Sequence, residues 1–262
     1  MNKIAVFGDS FASKIHEQML EDDFSDSLAR LYKNAKRQFN PNEIFVFSQN
    51  WGKRCISWID YLDADTYGWM GSDFYYSYNQ FIKHQHKYEK CIVVITGNRR
   101  YSSKFNNKWM HCVDIPEAFR HAKTNGNVEK RSYYKQLLSF FKNIYFEDLE
   151  RVDLIHEAMI NSILSIRPDT ILIHNSDLES VYKSELKAWD IPYNDFKNIL
   201  DYVDVRQCHM TNDNNYILAN FILQNLNKTG YIDLSTIEWK IPSLEEKKYY
   251  LIKIENVFGE LL

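Results

Sequence analysis

The chain of 262 residues is 45% hydrophobic and 26% charged, with a formal net charge of -3. This composition excludes a disordered chain and fits one large α/β domain that can bury a substantial core. The small negative charge gives no electrostatic footprint for nucleic acid or an anionic membrane, so neither is expected as a partner.

In chain order, residues 3–7 (Lys-Ile-Ala-Val-Phe) form a short apolar run with branched and aromatic side chains, which predicts a buried strand. Gly8 ends it, Asp9 and Ser10 follow at once, and helical character begins near Ala12. A parallel α/β sheet keeps its chemistry in that turn, at the carboxyl end of the first strand. A serine there lies near a helix N-terminus, whose unpaired N–H groups favour negative charge. The competing reading is a serine that only caps the helix. Residues 13–37 are polar and helical in pattern, Asn40-Pro41-Asn42 breaks them, and residues 43–47 read as a short extra strand. Residues 14–51 therefore read as an insertion that decorates the sheet.

A helix is expected over 56–62. Gly68 and Gly71 then stand three apart, after a short strand and before a helix that runs to about His84. Residues 91–96 (Cys-Ile-Val-Val-Ile-Thr) are the clearest buried strand, and Gly97-Asn98 ends it. Residues 101–130 read as a polar, irregular connection, part of a second insertion reaching to about residue 135. Leu149, Val152, Ile155, Met159, Ile160 and Ile163 hold helical spacing over 146–166. Arg167-Pro168-Asp169 stops that helix, and residues 170–173 predict another buried strand. Thr211 or Asn212 caps a closing helix over 210–226, with His209 just before it. The tail, 230–262, carries no assignable pattern. Strands separated by helices predict a single three-layer α/β/α, flavodoxin-like domain with a parallel sheet of about five strands.

The start of the chain has no secretory pattern, and no apolar run approaches a membrane span. Cys55, Cys91, Cys112 and Cys208 are widely scattered, so a cytoplasmic chain with reduced thiols is expected. No Gly-x-Gly-x-x-Gly follows the first strand, and no phosphate-binding Gly-x-x-x-x-Gly-Lys-Ser/Thr loop occurs. The pair His84 and His86 lacks nearby acidic or cysteine ligands. No cofactor and no metal is therefore called for.

Four stretches stand in a definite order: Gly8-Asp9-Ser10, Gly71, Asn98 and His209. That order and spacing resembles the SGNH hydrolases, or GDSL esterases and lipases. The resemblance implies Ser10 as nucleophile, His209 as base, and an oxyanion hole made of the Ser10 and Gly71 N–H groups with the Asn98 amide. The chain departs from the family at Arg206, where an aspartate usually stands three residues before the histidine, and at Arg99, where an aspartate usually follows the asparagine. Asp204, five residues before His209, is the candidate acid. The implied reaction is hydrolysis of a small acyl ester through an acyl-enzyme. An O-acetyl group on a carbohydrate is the expected substrate, because Trp69, Phe74, Tyr75, Tyr76 and Tyr78 crowd around Gly71 and aromatic faces stack on sugar rings. The alternatives are acyl transfer at the same site, or a non-catalytic binding or structural protein on a degraded scaffold of this kind.

Overall fold

The computed structural model of the chain describes residues 3–12, 45–47, 56–69, 72–97, 100–105, 108–111, 123, 126, 128–143, 148–188, 202–204, 209–243 and 251–253. In chain order these form β1 (Ile4–Gly8), a 3-10 turn (Ser10–Ala12), β2 (Phe45–Phe47), α1 (Trp58–Tyr61) and β3 (Asp65–Gly68). Next come α2 (Phe74–His84), β4 (Lys90–Ile95), the pair β5 (Ser102–Phe105) and β6 (Lys108–His111), and α3 (Val128–Asn143). Then follow α4 (Leu149–Ile166), β7 (Ile171–His174), α5 (Asn175–Ala188) and β8 (Tyr202–Asp204). The last are α6 (Asn212–Gln224), β9 (Gly230–Tyr231) and β10 (Leu251–Lys253). They fall into two compact units.

The first unit takes Met1–Ser13, Leu62–Ser176 and Leu223–Leu234. Its sheet has the order β3-β1-β4-β7-β9, and every pairing is parallel. Counted along the chain, that order is second, first, third, fourth, fifth: the flavodoxin-like arrangement. This is an α/β fold with a five-stranded all-parallel sheet flanked by helices, of the three-layer class.

The apolar runs read from the sequence lie where a parallel sheet needs them, since its strands are covered on both faces. Ala5, Phe7, Cys91, Val93 and Leu172 form one face, and Phe74 and Phe81 of α2 with Met159 and Ile163 of α4 pack on it. Phe7 meets Phe81 edge-on at 5.5 Å and stacks on Tyr67 at 5.0 Å. Ile4, Val6, Ile92, Val94, Ile171 and Ile173 alternate with these and are buried too. At the amino-terminal end of the sheet Lys90 Nζ donates to the carbonyls of Lys228 and Asp169. Among the described residues, no helix is long and apolar enough to cross a membrane.

Two stretches of the first unit differ from the sequence expectation. The stretch after Tyr101, read as irregular, holds the antiparallel pair β5–β6, with Phe105 opposite Lys108. Trp109 anchors it, its ring edge-on to Tyr76 at 4.9 Å. The tail supplies β9, whose Gly230 N–H donates to Thr170 O at 2.8 Å. Of the expected insertion over 14–51 only β2 is described, and the expected helix over 13–37 lies outside the described residues.

The second unit takes Lys14–Tyr61, Asp177–Ile222 and Ser235–Leu262. Its sheet has the order β10-β2-β8, with β2 parallel to β8 and antiparallel to β10. Buried asparagines join α6 to the start of α1: Asn212 Oδ1 accepts the Ile56 N–H at 3.0 Å, and Asn215 Oδ1 accepts the Trp58 N–H at 3.1 Å.

Candidate functional site

β1 lies between β3 and β4. The chain leaves β1 for one neighbour and later builds the other on its far side. The carboxyl end of β1 is therefore the point where strand order reverses, and open α/β sheets bind ligands there. Asp9 and Ser10 occupy that end, Trp69 follows β3, Thr96 and Gly97 follow β4, and Asn175 follows β7.

Two glycines let the backbone turn there. A Cβ on Gly8 would stand 2.6 Å from Ala12 Cβ and 2.8 Å from Val94 Cβ. A Cβ on Gly68 would stand 2.6 Å from the Asp9 carbonyl oxygen and closer still to the Ala12 carbonyl. Both are far inside contact distance, so the absent side chain of Gly8 lets the turn fold back beside β4, and that of Gly68 lets β3 approach the turn. The Gly8 carbonyl accepts the Trp69 N–H and the Ser72 hydroxyl, each at 3.3 Å. Ser10 opens the 3-10 turn and is 8% exposed.

Asp9 is the centre of this end of the sheet. Its carboxylate is fully buried; Oδ1 accepts the Phe11 N–H at 3.0 Å, and Oδ2 accepts Arg100 Nη1 at 2.7 Å and Asn175 Nδ2 at 3.1 Å. Burial pushes the Asp9 carboxyl up from its ordinary value, and the Arg100 guanidinium pulls it part of the way back. Because Nδ2 faces a carboxylate, the orientation of the Asn175 amide is fixed. Its Oδ1 is buried and has no hydrogen-bond partner among the described residues, and the same holds for Thr96 Oγ1 after β4. Unmet polar atoms at that depth mark a place for an ordered water or a ligand group.

A second buried carboxyl ties together the segments after β3 and β4. Asp73 caps α2, with Oδ1 accepting the Tyr76 N–H at 2.9 Å. Its Oδ2 accepts the Ser102 N–H at 2.7 Å, while the Ser102 hydroxyl accepts the Asp73 N–H at 3.0 Å. Burial raises the Asp73 carboxyl to about 6. Gly71 and Asn98, the oxyanion donors that the resemblance implies, lie outside the described residues, as does Arg206.

His209 and Asp204 belong to the second unit, whereas Ser10 belongs to the first. His209 precedes α6 with a left-handed backbone, φ 60°, and its ring meets the Tyr182 ring edge-on at 5.6 Å. Asp204 ends β8, where its backbone lies opposite Phe47. Of the expected aromatic cluster, Trp69 and Tyr75 are about half exposed, while Phe74 and Tyr76 are buried and offer no face to a ligand. Among the described residues, no three or more His, Cys, Asp or Glu side chains gather as a metal site.

The sequence reading missed Arg100, Asn175 and Asp73. Asn175 carried a usable signal, since it directly follows a buried strand of a parallel sheet. Asp73 carried the signal of a helix cap, an aspartate just before the apolar start of α2, but its bond to Ser102 is 29 residues away. Arg100 carried none, because its partner Asp9 is 91 residues away. No family model matches the chain, and neither a curated protein nor a solved structure matches it.

Proposed function

We infer that the protein is a serine esterase with Ser10 as its nucleophile. The observation that carries this reading is the place of Ser10. It opens a tight turn at the switch point of a flavodoxin-like parallel sheet, and the buried Asp9 carboxylate fixes that turn. A serine hydroxyl needs a base to take its proton, and neutral imidazole does this near neutral pH. His209 is the base that the four-block resemblance implies, with Asp204 as the candidate acid that orients it.

In the reaction, Ser10 Oγ bonds to the carbonyl carbon of the ester as its proton passes to the imidazole. The negative charge that grows on the carbonyl oxygen needs fixed donors, and each contributes about 3–4 kcal/mol. The Ser10 and Gly71 N–H groups and the Asn98 amide fill that role in this reading. The imidazolium returns the proton to the leaving alcohol, and water then cleaves the acyl-enzyme. An O-acetyl group on a carbohydrate is the substrate favoured here. The half-exposed rings of Trp69 and Tyr75 support it, since aromatic faces stack on sugar rings while their surroundings bind hydroxyls.

Arg206, in place of the family's aspartate, favours a second reading: a binding protein on an inactive scaffold. A fluorophosphonate probe separates the two. The esterase is labelled at Ser10, and labelling disappears in Ser10→Ala. An unlabelled, folded wild type ends the catalytic reading. Turnover of acetylated oligosaccharides and p-nitrophenyl esters of increasing chain length then decides the substrate, and activity on long chains alone removes the carbohydrate.

A further inference from the structure

At the position where the resemblance implies an aspartate, three residues before His209, the chain has Arg206, yet the corner after His209 is built around a carboxylate from α5. Glu185 of α5 is 1% exposed. Its Oε1 accepts the Thr211 N–H at 2.9 Å, the Thr211 hydroxyl at 2.9 Å and Asn214 Nδ2 at 2.6 Å; the Thr211 N–H also reaches Oε2 at 3.1 Å. Each of these groups donates to the carboxyl. A buried acid of this kind is costly unless donors surround it. All three donor groups belong to the first residues after His209-Met210.

The rest of the corner is fixed as firmly. Thr211 Oγ1 accepts the Asn214 N–H at 3.4 Å and so caps α6. Asn215 Nδ2 donates to the carbonyls of Met210 and Thr211, at 2.9 and 3.0 Å. His209 itself holds a left-handed backbone, a conformation that a residue with a side chain keeps only where its surroundings impose it. Tyr182 precedes Glu185 by three residues on α5, so the two side chains share a helix face. That face sets the Tyr182 ring against the His209 ring and the Glu185 carboxylate against Thr211.

We propose that Glu185, with Tyr182, is a positioning residue for His209: through the Thr211 corner it fixes the backbone that carries the ring, whichever acid faces the imidazole. The proposal rests on the reading of His209 as the base, and the experiment below keeps the two separable. Glu185 does not touch substrate in this scheme. It holds the backbone on which the imidazole stands.

The test uses the full chain with Glu185→Gln and Thr211→Val, and with Thr211→Ser as the conservative control. One readout is the imidazole ¹H–¹⁵N spectrum, with the His209 signals assigned by His209→Gln. The other is steady-state turnover of 4-nitrophenyl acetate. The His209 ring signals are expected to shift or broaden in Glu185→Gln and Thr211→Val and to keep their wild-type positions in Thr211→Ser, while those of His84 and His174 stay unmoved in all three. The kcat is expected to fall about 100-fold with KM changed less than about twofold, the size of effect that follows a small misplacement of a reacting group. If Glu185→Gln fails to fold, Thr211→Val carries the same reading. Unchanged His209 signals in folded variants overturn the proposal. A wild type that turns over no ester, but whose His209 signals move as described, removes the esterase reading and leaves the positioning role standing.

Discussion

Asp73 and Ser102, 29 residues apart in the chain, hold each other through two hydrogen bonds of opposite direction. The pair fixes the start of α2 against the start of β5. In sequence, Asp73 stands two residues after position 71 and Ser102 four residues after position 98, where the resemblance places the oxyanion donors.

That pair titrates. The Asp73 carboxyl is raised from 3.8 to about 6 in the folded chain, by burial first of all. A folded-state pKa above the unfolded one means that the folded chain binds the proton more tightly. The stability linked to Asp73 is therefore fully present below about pH 4 and is lost as pH rises through about 6, a change of about 3 kcal/mol. Asp73→Asn removes this dependence. In urea unfolding at pH 4 and pH 7.5, the wild type is expected to lose about 3 kcal/mol more between the two than the variant does. Parallel pH profiles for the two proteins would contradict the assignment.

Arg100 is the countercharge of Asp9, at 2.7 Å, and its side chain is 30% exposed. Replacing it by methionine leaves a fully buried carboxylate with Asn175 and the Phe11 N–H as its remaining partners among those described. Breaking a buried pair from one side costs about 3 kcal/mol or somewhat more, and solvent at Arg100 puts this case at the low end. Without the guanidinium the Asp9 carboxyl rises further, so protonation relieves the strain at low pH. The deficit of Arg100→Met, measured by thermal unfolding, is expected to be largest near pH 8 and to shrink toward pH 5. A deficit that is flat with pH would show that the ion pair carries little.

Gly68→Ala and Gly97→Ala form a matched pair. A Cβ at Gly68 meets backbone atoms of the turn that carries Ser10, whereas a Cβ at Gly97 meets nothing within 4 Å among the described residues. Backbone cannot rotate away as a side chain can, so Gly68→Ala is expected to cost about 1–3 kcal/mol and to lower kcat by displacing Ser10. Gly97→Ala is expected to be neutral or to stabilise by less than about 1 kcal/mol through the unfolded chain. Equal effects at the two positions, in calorimetry and in turnover, would remove the close approach as the reason for glycine at 68.

Much of the first unit was legible because parallel strands buried on both faces leave unbroken apolar runs, as in Ile4–Gly8, Lys90–Ile95 and Ile171–His174. β9 was not. Two residues, Gly230 and Tyr231, are too short a strand for any periodicity to register. β5 and β6 are separated by Asn106 and Asn107, a turn-favouring pair, but the strands themselves are polar enough to pass for a connection. The polar centre was hidden for another reason. Asn214 and Asn215 sit in a run of Asn and Asp at the start of a helix whose apolar stripe comes later, yet both are fully buried. Their burial comes from hydrogen bonds to Glu185, Lys240 and Trp58, and such partners are set by the fold and not by spacing.

The strand β9 also sets a timetable for synthesis. Its Gly230 and Tyr231 pair with Ile171 and Leu172, and the Ile232 N–H reaches Leu172 O at 3.2 Å. A ribosome delivers β1, β3, β4 and β7 well before it delivers their last neighbour. In that interval the outer edge of β7 exposes N–H and C=O groups to any passing extended chain, which is how open edges recruit foreign strands. The nascent protein is therefore most vulnerable to aggregation late in translation, after four of the five strands exist and before the shortest has arrived to close the edge.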